Sequence, residues 1–202
     1  TRSIRVSSSA ASAVYKEQVP EGGFRKFQIM QSPVMAPALQ AKYPQIRTFT
    51  GHGADDPRET VKLDITPHGF HAMFLRAGPT FIIDPVFVGD TQHYMVYSKT
   101  DLSPRSDADY TCHWDGSKAF DHKALAQQKR AMKTGTSSNN PTGPNLRNYR
   151  IAISAAGEYS VFHGGTVPLT LAAIATSLNR INQVYEKDLT IRMILVPNND
   201  TL

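Results

Sequence analysis

The segments "NYRIAISAAGEY" (148–159) and "TIRMILVPNND" (190–200) decide the fold class of the C-terminal part of this chain. In the first segment, Tyr149, Ile151 and Ile153 alternate with polar or small residues, which is the two-residue period of a strand. The second segment carries a run of aliphatic residues of strand length. Each segment therefore predicts one strand.

The residues between these two strands have the pattern of one long amphipathic helix. Thr166 stands where an N-cap is expected, and Pro168 falls in the first turn. Apolar residues then recur at steps of three and four, at Leu171, Ile174, Leu178, Ile181 and Tyr185. Strand, helix and strand form a βαβ unit whose strands should be parallel neighbours in one sheet. Because this unit cannot cover its own apolar surface, we expect residues 148–202 to be part of a larger domain.

The residues before this unit have the pattern of an antiparallel β structure, in which short apolar segments alternate with Gly, Pro or Asp. The predicted strands are 24–30, 46–51, 60–66, 69–75, 79–85 and 92–98, with helices within 33–44 and over 119–132. In "TVKLDIT" (60–66), Val61, Leu63 and Ile65 should face one side of the sheet, and Lys62 and Asp64 the other. The predicted fold class is α+β, with a mainly antiparallel β part before an incomplete βαβ unit.

The stretch "KTGTSSNNPTGPN" (133–145) separates these two patterns. It is rich in Ser, Thr, Asn, Gly and Pro and contains no aliphatic residue, so it predicts an exposed linker that proteases can reach. The chain is therefore divided into a β-rich part (1–133), a linker (134–147) and the βαβ part (148–202).

The composition is that of a globular protein with a modest positive charge. Of the 202 residues, 40% are hydrophobic, and 22 Lys and Arg stand against 17 Asp and Glu. The basic residues are scattered and form no run, so nucleic-acid binding is not expected. No apolar stretch is long enough to predict a membrane span. Since the sequence begins with Thr1, we expect a processed or engineered piece from which a signal peptide has been removed.

The order of the segments resembles that of a known family. The stretch from "LRNYRIAISAAGEY" to "LVPNNDTL" (146–202) resembles the start of the catalytic domain of secreted bacterial reprolysin-like zinc metalloproteases, which belong to the metzincin clan. The earlier segments "KYPQIRTFTGHGADDP", "HGFHAMF", "FIIDP" and "YMVYSKTDL" resemble the pro-region of the same precursors. The resemblance implies that residues 1–133 keep a secreted zinc metalloendopeptidase latent and assist its folding. The partner of the pro-region would be its own catalytic domain, and proteins would be the substrates of the mature enzyme.

The zinc-binding motif of this clan, HExxHxxGxxH, is absent from the chain. The two closest histidines, His68 and His71 in "HGFH", are three residues apart across a predicted turn, which is a poor preformed zinc site. The resemblance therefore implies that zinc is bound by a downstream catalytic domain and that this chain alone has no peptidase activity.

Cys112 in "DADYTCHWDG" (107–116) is the candidate residue for blocking the zinc ion. A thiolate is a soft anionic ligand that can replace the water molecule which zinc would activate, and many metzincin precursors use such a cysteine. The alternative is a buried core cysteine, because Tyr110, Cys112 and Trp114 alternate as on the inner face of a strand. A nucleophilic role is not expected, since the adjacent His113 would point to the opposite face.

Asp90 is a second candidate for the same role. The stretch "FVGD" (87–90) is similar to the FxGD stretch with which astacin-type pro-regions present an aspartate to zinc. The surrounding segments resemble reprolysin-like precursors instead, so Asp90 ranks below Cys112.

Activation would follow cleavage near the linker, where Lys133, Arg147 and Arg150 offer basic positions. A different hypothesis makes residues 1–133 an independent β-rich module that binds an acidic glycan or surface. Tyr94, Tyr97 and Lys99 lie close together in the sequence and are its candidate binding residues.

Overall fold

The computed structural model describes residues 13–18, 24–102 and 145–201. The strands in these ranges are β1 (Ala13–Gln18), β2 (Phe24–Gln31), β3 (Arg47–Gly53), β4 (Thr60–Thr66), β5 (Gly69–Leu75), β6 (Phe81–Pro85), β7 (Tyr94–Ser98), β8 (Arg147–Ile151) and β9 (Ile191–Leu195). The α-helices in the same ranges are α1 (Pro37–Lys42), α2 (Gly157–Phe162) and α3 (Val167–Leu189).

The strands predicted between residues 24 and 98 are all present, and β4 and β5 have the predicted bounds, 60–66 and 69–75. The helix predicted within 33–44 is confined to α1, which ends at Lys42 because Tyr43 precedes Pro44 and is disfavoured from helical geometry. Neither β1 nor α2 was predicted. The helix predicted over 119–132, together with Cys112 and Lys133, lies outside the described residues, so the division at the linker stays a prediction.

Strands β1 to β7 form one sheet in chain order, with antiparallel neighbours throughout. The register aligns Phe49 with Leu63, Leu63 with Ala72, and Ala72 with Ile83, so that these buried residues share one face. The core cluster on this face consists of Phe27, Ile29, Phe49, Val61, Leu63, Phe70, Ala72, Phe74, Phe81 and Ile83. The mainly antiparallel β part expected from the sequence is thus observed.

The sheet curls around this apolar face. Phe27 on β2 and Phe74 on β5 have ring centroids 5.1 Å apart, although β3 and β4 lie between their strands. In a flat sheet, three strand spacings would separate them by about 14 Å. Gly51 on β3 permits a close approach to β2, because a Cβ atom there would stand 2.5 Å from the carbonyl oxygen of Gln28 and 2.7 Å from Cγ2 of Ile29. The apolar side chains therefore pack against one another on the concave face of the sheet, and α3 packs on the convex face.

The predicted βαβ unit is confirmed, because β8 and β9 are parallel neighbours and α3 connects them. Thr166 occupies the N-cap position as predicted, but its side chain makes no capping hydrogen bond. The first part of the apolar stripe is buried, at Leu171, Ile174 and Leu178. The last part is exposed, since Ile181 and Tyr185 keep 43% and 40% of their surface accessible.

None of the helices in the described ranges is long and apolar enough to cross a membrane.

Candidate functional site

The contact between the curled sheet and α3 is the candidate functional site. Helix α3 turns four polar residues, which we call the polar stripe, towards β4; they recur at steps of three and four and are Thr176, Asn179, Gln183 and Glu186. The amide of Asn179 donates to the carbonyl oxygen of Leu63 at 3.0 Å, and that of Gln183 donates to the carbonyl oxygen of Thr60 at 3.0 Å. The helix is thus tied directly to the backbone of β4.

Asp64 is the centre of a buried hydrogen-bond group in this contact. The Thr176 hydroxyl donates to its Oδ1 at 2.7 Å, and Nδ1 of His71 lies 3.1 Å from the same oxygen. Asp64 itself is buried. A buried carboxylate needs such donors, because it has lost its hydration. These donors come from α3 and from β5, so Asp64 links the helix to the sheet.

The buried Lys62 on β4 and the half-buried Glu186 on α3 form an ion pair, with 2.8 Å between Nζ and Oε1. Arg192 on β9 contacts the same carboxylate oxygen, with Nε at 2.7 Å. Burial lowers the pKa of Lys62, and the opposing charge of Glu186 does not fully offset this. Burial acts to raise the pKa of Glu186, but the hydrogen bond from Arg192 and the charge of Lys62 bring it below its ordinary value. One carboxylate therefore holds two cations from different strands.

A second ion pair joins Arg180 on α3 to Asp84 on β6. The hydroxyl of Tyr97 on β7 donates to the other oxygen of Asp84 at 2.7 Å. Burial, followed by this hydrogen bond to a carboxylate, raises the pKa of Tyr97 to about 12. The polar contact of α3 thus extends from β4 to the far strands of the sheet.

The part of the chain before the linker, which we call the N-terminal region, also contributes to the apolar core of the βαβ unit. Four of its buried residues, which we call the apolar anchor, belong to this core and are Val34, Met35, Leu39 and Ile46. Their partners in the cluster are Leu171, Ala172, Ile174, Ala175 and Leu178 on α3 and Leu195 on β9. Residues from both parts of the sequence therefore build one core.

The outer edge of β9 is covered in the same region. The Leu195 amide donates to the carbonyl oxygen of Val34 at 2.8 Å, and the Ala36 amide donates to that of Leu195 at 3.0 Å. Two residues earlier on the strand, the Asn182 side chain exchanges hydrogen bonds of 2.8 Å with both backbone groups of Met193. A strand edge left with free donors and acceptors invites pairing with other chains. Here the N-terminal region and α3 occupy it together.

A cavity of about 320 Å³ opens beside the polar contact. Its lining includes His68, His71, Asp84, Tyr159, His163 and Arg180. Nε2 of His68 lies 2.8 Å from the carbonyl oxygen of Leu169. Because a carbonyl oxygen only accepts, this nitrogen carries a hydrogen. The rings of His68 and His163 have centroids 5.6 Å apart.

Asp90 lies in the turn between β6 and β7, and its carboxylate is used within that turn. Oδ1 accepts from the backbone amides of Gln92 and His93 at 2.8 and 3.0 Å, while Nδ1 of His93 lies 3.1 Å from Oδ2. The two backbone hydrogen bonds are the main cause of the lowered pKa of Asp90. Both oxygens thus have partners in the local turn.

The other predicted site residues do not come together in the described part of the chain. Arg147 and Arg150 are exposed residues of β8, and the amide of Arg147 donates to the carbonyl oxygen of Thr190 at 2.8 Å. Tyr94 packs edge-on against Phe70, with 6.0 Å between ring centroids, and Tyr97 is bonded to Asp84. The two tyrosines suggested for glycan binding therefore make internal contacts.

The polar stripe was missed by the sequence analysis, although Thr176, Asn179, Gln183 and Glu186 follow helical spacing as regularly as the apolar stripe does. That periodicity was a usable signal. What the sequence could not provide was the partner of the stripe, because Lys62 and Asp64 are more than a hundred residues away along the chain.

The C-terminal segment is similar to a known family. Residues 145–201 match the family model described as Metallo-peptidase family M12B Reprolysin-like, and no curated protein matches the chain. Metallopeptidases of this family depend on zinc, but among the described residues no group of three or more His, Cys, Asp or Glu side chains is arranged to hold a metal ion. Residues 145–201 are therefore similar to a fragment of a reprolysin-like metallopeptidase.

Proposed function

We propose that residues 1–133 are the pro-region of a secreted zinc metalloendopeptidase precursor, in which they keep the protease latent and assist its folding. One observation carries this proposal: the apolar anchor lies in the same core as α3 and β9 of the segment similar to reprolysin-like metallopeptidases. The zinc ion would be held by a further segment of the precursor that carries HExxHxxGxxH.

The folding role is supported by the core and by the covered strand edge. Without the apolar anchor, Leu171 and Leu195 would lose buried neighbours, and the backbone groups of Leu195 would lose Val34 and Ala36. Burial of apolar surface is the main source of folding free energy, and an unpaired strand edge promotes aggregation. If the βαβ unit folds together with the N-terminal region, its apolar surface is buried and its strand edge is paired.

Separation of the pro-region is compatible with the polar stripe. Interfaces that form and dissociate are more polar than those of permanent assemblies, and α3 contacts β4 mainly through hydrogen bonds and the pair Lys62–Glu186. Several of its polar atoms, including Oδ1 of Asn179 and Oε1 of Gln183, are buried without a protein partner. Rehydration of these atoms on release would offset part of the cost of separation.

We place the activating cleavage before β8. The backbone of β8 is paired with β9 from Arg147 to Ile151, and a protease must draw out an extended segment to cut it. Lys133 and the linker that follows it are therefore better positions than the bonds after Arg147 or Arg150. Cys112 remains the proposed zinc-blocking ligand, and Asp90 the second choice because its carboxylate already serves its own turn.

The first test is the coding frame beyond Leu202, where the proposal requires HExxHxxGxxH. The second is the activity of the unprocessed precursor in three versions: wild type, Cys112→Ser and Asp90→Asn. We expect Cys112→Ser to raise zinc-dependent peptide cleavage before processing and Asp90→Asn to leave the precursor latent. Equal latency of wild type and Cys112→Ser would reject the thiol ligand alone. A mature protease that is not inhibited by its pro-region would reject the proposal itself.

A further inference from the structure

His68 and His163 face each other across the contact between the N-terminal region and the metallopeptidase-like segment. His68 lies in the turn between β4 and β5, whereas His163 follows α2 within the matched residues. Their ring centroids are 5.6 Å apart in an edge-on arrangement. His68 is buried, with 8% of its surface exposed. The two imidazoles thus meet at the border along which the pro-region would separate.

Neither ring of this pair has a carboxylate partner among the described residues. His68 donates from Nε2 to the carbonyl oxygen of Leu169, a neutral acceptor. The nearest rings to His163 are Tyr159 and Phe162, with centroids 4.4 and 5.0 Å away. Positive charge on these imidazoles would therefore be poorly compensated.

The carboxylates near the cavity already have partners. Asp64 accepts from Thr176 on α3 and lies against His71 on β5. Asp84 is bound by Arg180 and Tyr97.

The other titratable side chain of the cavity lining is Tyr159 on α2, and the remaining charge is that of Arg180 on α3. Neither of these side chains is a carboxylate. The environment of His68 and His163 therefore disfavours a second positive charge.

The pKa of His163 is shifted in the direction that this geometry requires. Burial, and then the charge of His68, lower the pKa of His163 below its ordinary value of 6.5. A group with a lowered pKa in the folded state gives its full stabilisation above its unfolded pKa and loses it as the pH falls through the folded pKa. The contact should therefore be strongest above pH 6.5 and weaken below it.

We propose that His68 and His163 form a pH-dependent latch, in which protonation of His163 beside the buried His68 weakens the contact between the N-terminal region and the metallopeptidase-like segment. The latch deepens the proposed function and rests on it, because it assigns mild acid as a signal that favours separation of the pro-region. It needs no ligand and no covalent step. His68 precedes the proposed cleavage region in the sequence and His163 follows it. Weakening their contact therefore favours release of the pro-region after cleavage.

The test is the pH dependence of unfolding of the full chain by urea between pH 7.5 and 5.5. One proton taken up on unfolding changes the equilibrium constant by up to about tenfold per pH unit. We expect the wild type to lose stability across this range and His163→Gln to lose distinctly less. His68→Gln is the second variant, because its amide can still donate to the carbonyl oxygen of Leu169. His52→Gln is the matched control, since His52 is exposed on β3 and should keep the wild-type slope.

An unchanged slope in both His163→Gln and His68→Gln would overturn the latch. Amide hydrogen exchange, corrected for intrinsic rates, localises the effect: acid should raise exchange in the β4–β5 turn and at the start of α3 in the wild type only. These readouts need no protease activity. If the slope depends on His163 but the pro-region does not inhibit the mature protease, the proposed function fails and the acid-sensitive contact stands. If the pro-region inhibits and the slope is unchanged, the latch fails alone.

Discussion

Lys62 on β4 and Glu186 on α3 are joined by an ion pair of 2.8 Å, in which Lys62 is buried and Glu186 is half-buried. Because Arg192 shares the carboxylate at 2.7 Å, three strands or helices depend on one acidic group. Burying charges costs hydration free energy, so the pair adds little net stability. An arrangement that separates the two charges is nevertheless strongly disfavoured, because it leaves a buried charge without its counter-ion. We interpret the pair as the element that fixes how α3 lies on the sheet.

Glu186→Gln should destabilise the chain by about 3 kcal/mol, since it leaves the buried Lys62 ammonium without its counter-ion. Urea denaturation at pH 7 measures the change. Because the pKa of Glu186 is lowered from 4.5, the contribution of its charge is complete above that pH and is lost as the pH falls through the lowered value. Arg58→Gln is the control: Arg58 pairs with Asp56 on the surface, and its loss should not be measurable. Equal effects of the two variants would contradict the role given to the pair Lys62–Glu186.

Leu39→Ala tests whether the N-terminal region supports the metallopeptidase-like segment. Leu39 is fully buried in the core shared with α3 and β9, so its truncation should cost roughly 2–5 kcal/mol. Hydrogen exchange should increase in α3 and β9 as well as in α1. Val88→Ala, at a residue with 67% of its surface exposed, should change neither quantity. Faster exchange confined to α1 and to the sheet of β1 to β7 would argue against the folding role.

The fold was predictable from the sequence where the signal is local. The alternation of Val61 and Leu63 with Lys62 and Asp64 gave β4 its bounds and its two faces. The period of α3 gave its length, but only part of its orientation: Ile181 is exposed, whereas the polar Asn179 and Gln183 are buried. Periodicity identifies an apolar stripe, yet a polar stripe is also buried when a distant strand offers carbonyl oxygens and charges.

The candidate site was much less predictable. The pairing of Met35 with Leu195 joins residues at opposite ends of the chain, and neither neighbourhood carries a signal for the other. The contact of His68 with His163 likewise joins two turns that are far apart in the sequence. The resemblance to a family identified a pro-region and the start of a catalytic domain as partners. The contacts between them could not be predicted, because they join residues that are far apart in the sequence.

Gly51→Ala tests the close approach of β2 and β3. A Cβ atom at this position would meet the carbonyl oxygen of Gln28 at 2.5 Å, and a backbone atom cannot move aside as a side chain can. We expect a loss of about 1–3 kcal/mol, the usual cost of overpacking, together with a change in the near-ultraviolet circular dichroism of the packed aromatic rings. Gly157→Ala is the matched control, because no heavy atom lies within 4 Å of its added Cβ. If Gly51→Ala changes stability no more than Gly157→Ala does, β2 and β3 do not approach each other as closely as described.

The ionisation of the Tyr97 hydroxyl at alkaline pH tests its hydrogen bond to Asp84, the residue that pairs with Arg180 on α3. Its pKa is raised to about 12 by burial and by donation to the Asp84 carboxylate. A raised pKa means that its contribution to stability is complete below the ordinary value of 10.0, declines as the pH rises past that value, and is lost above about 12. Ultraviolet titration of the tyrosinate band should therefore lack its latest-ionising component in Tyr97→Phe. Asp84→Asn, which keeps the shape but removes the charge, should bring that ionisation to lower pH. If the titration curves of wild type and Tyr97→Phe differ only near pH 10, Tyr97 is exposed to solvent and does not donate to Asp84.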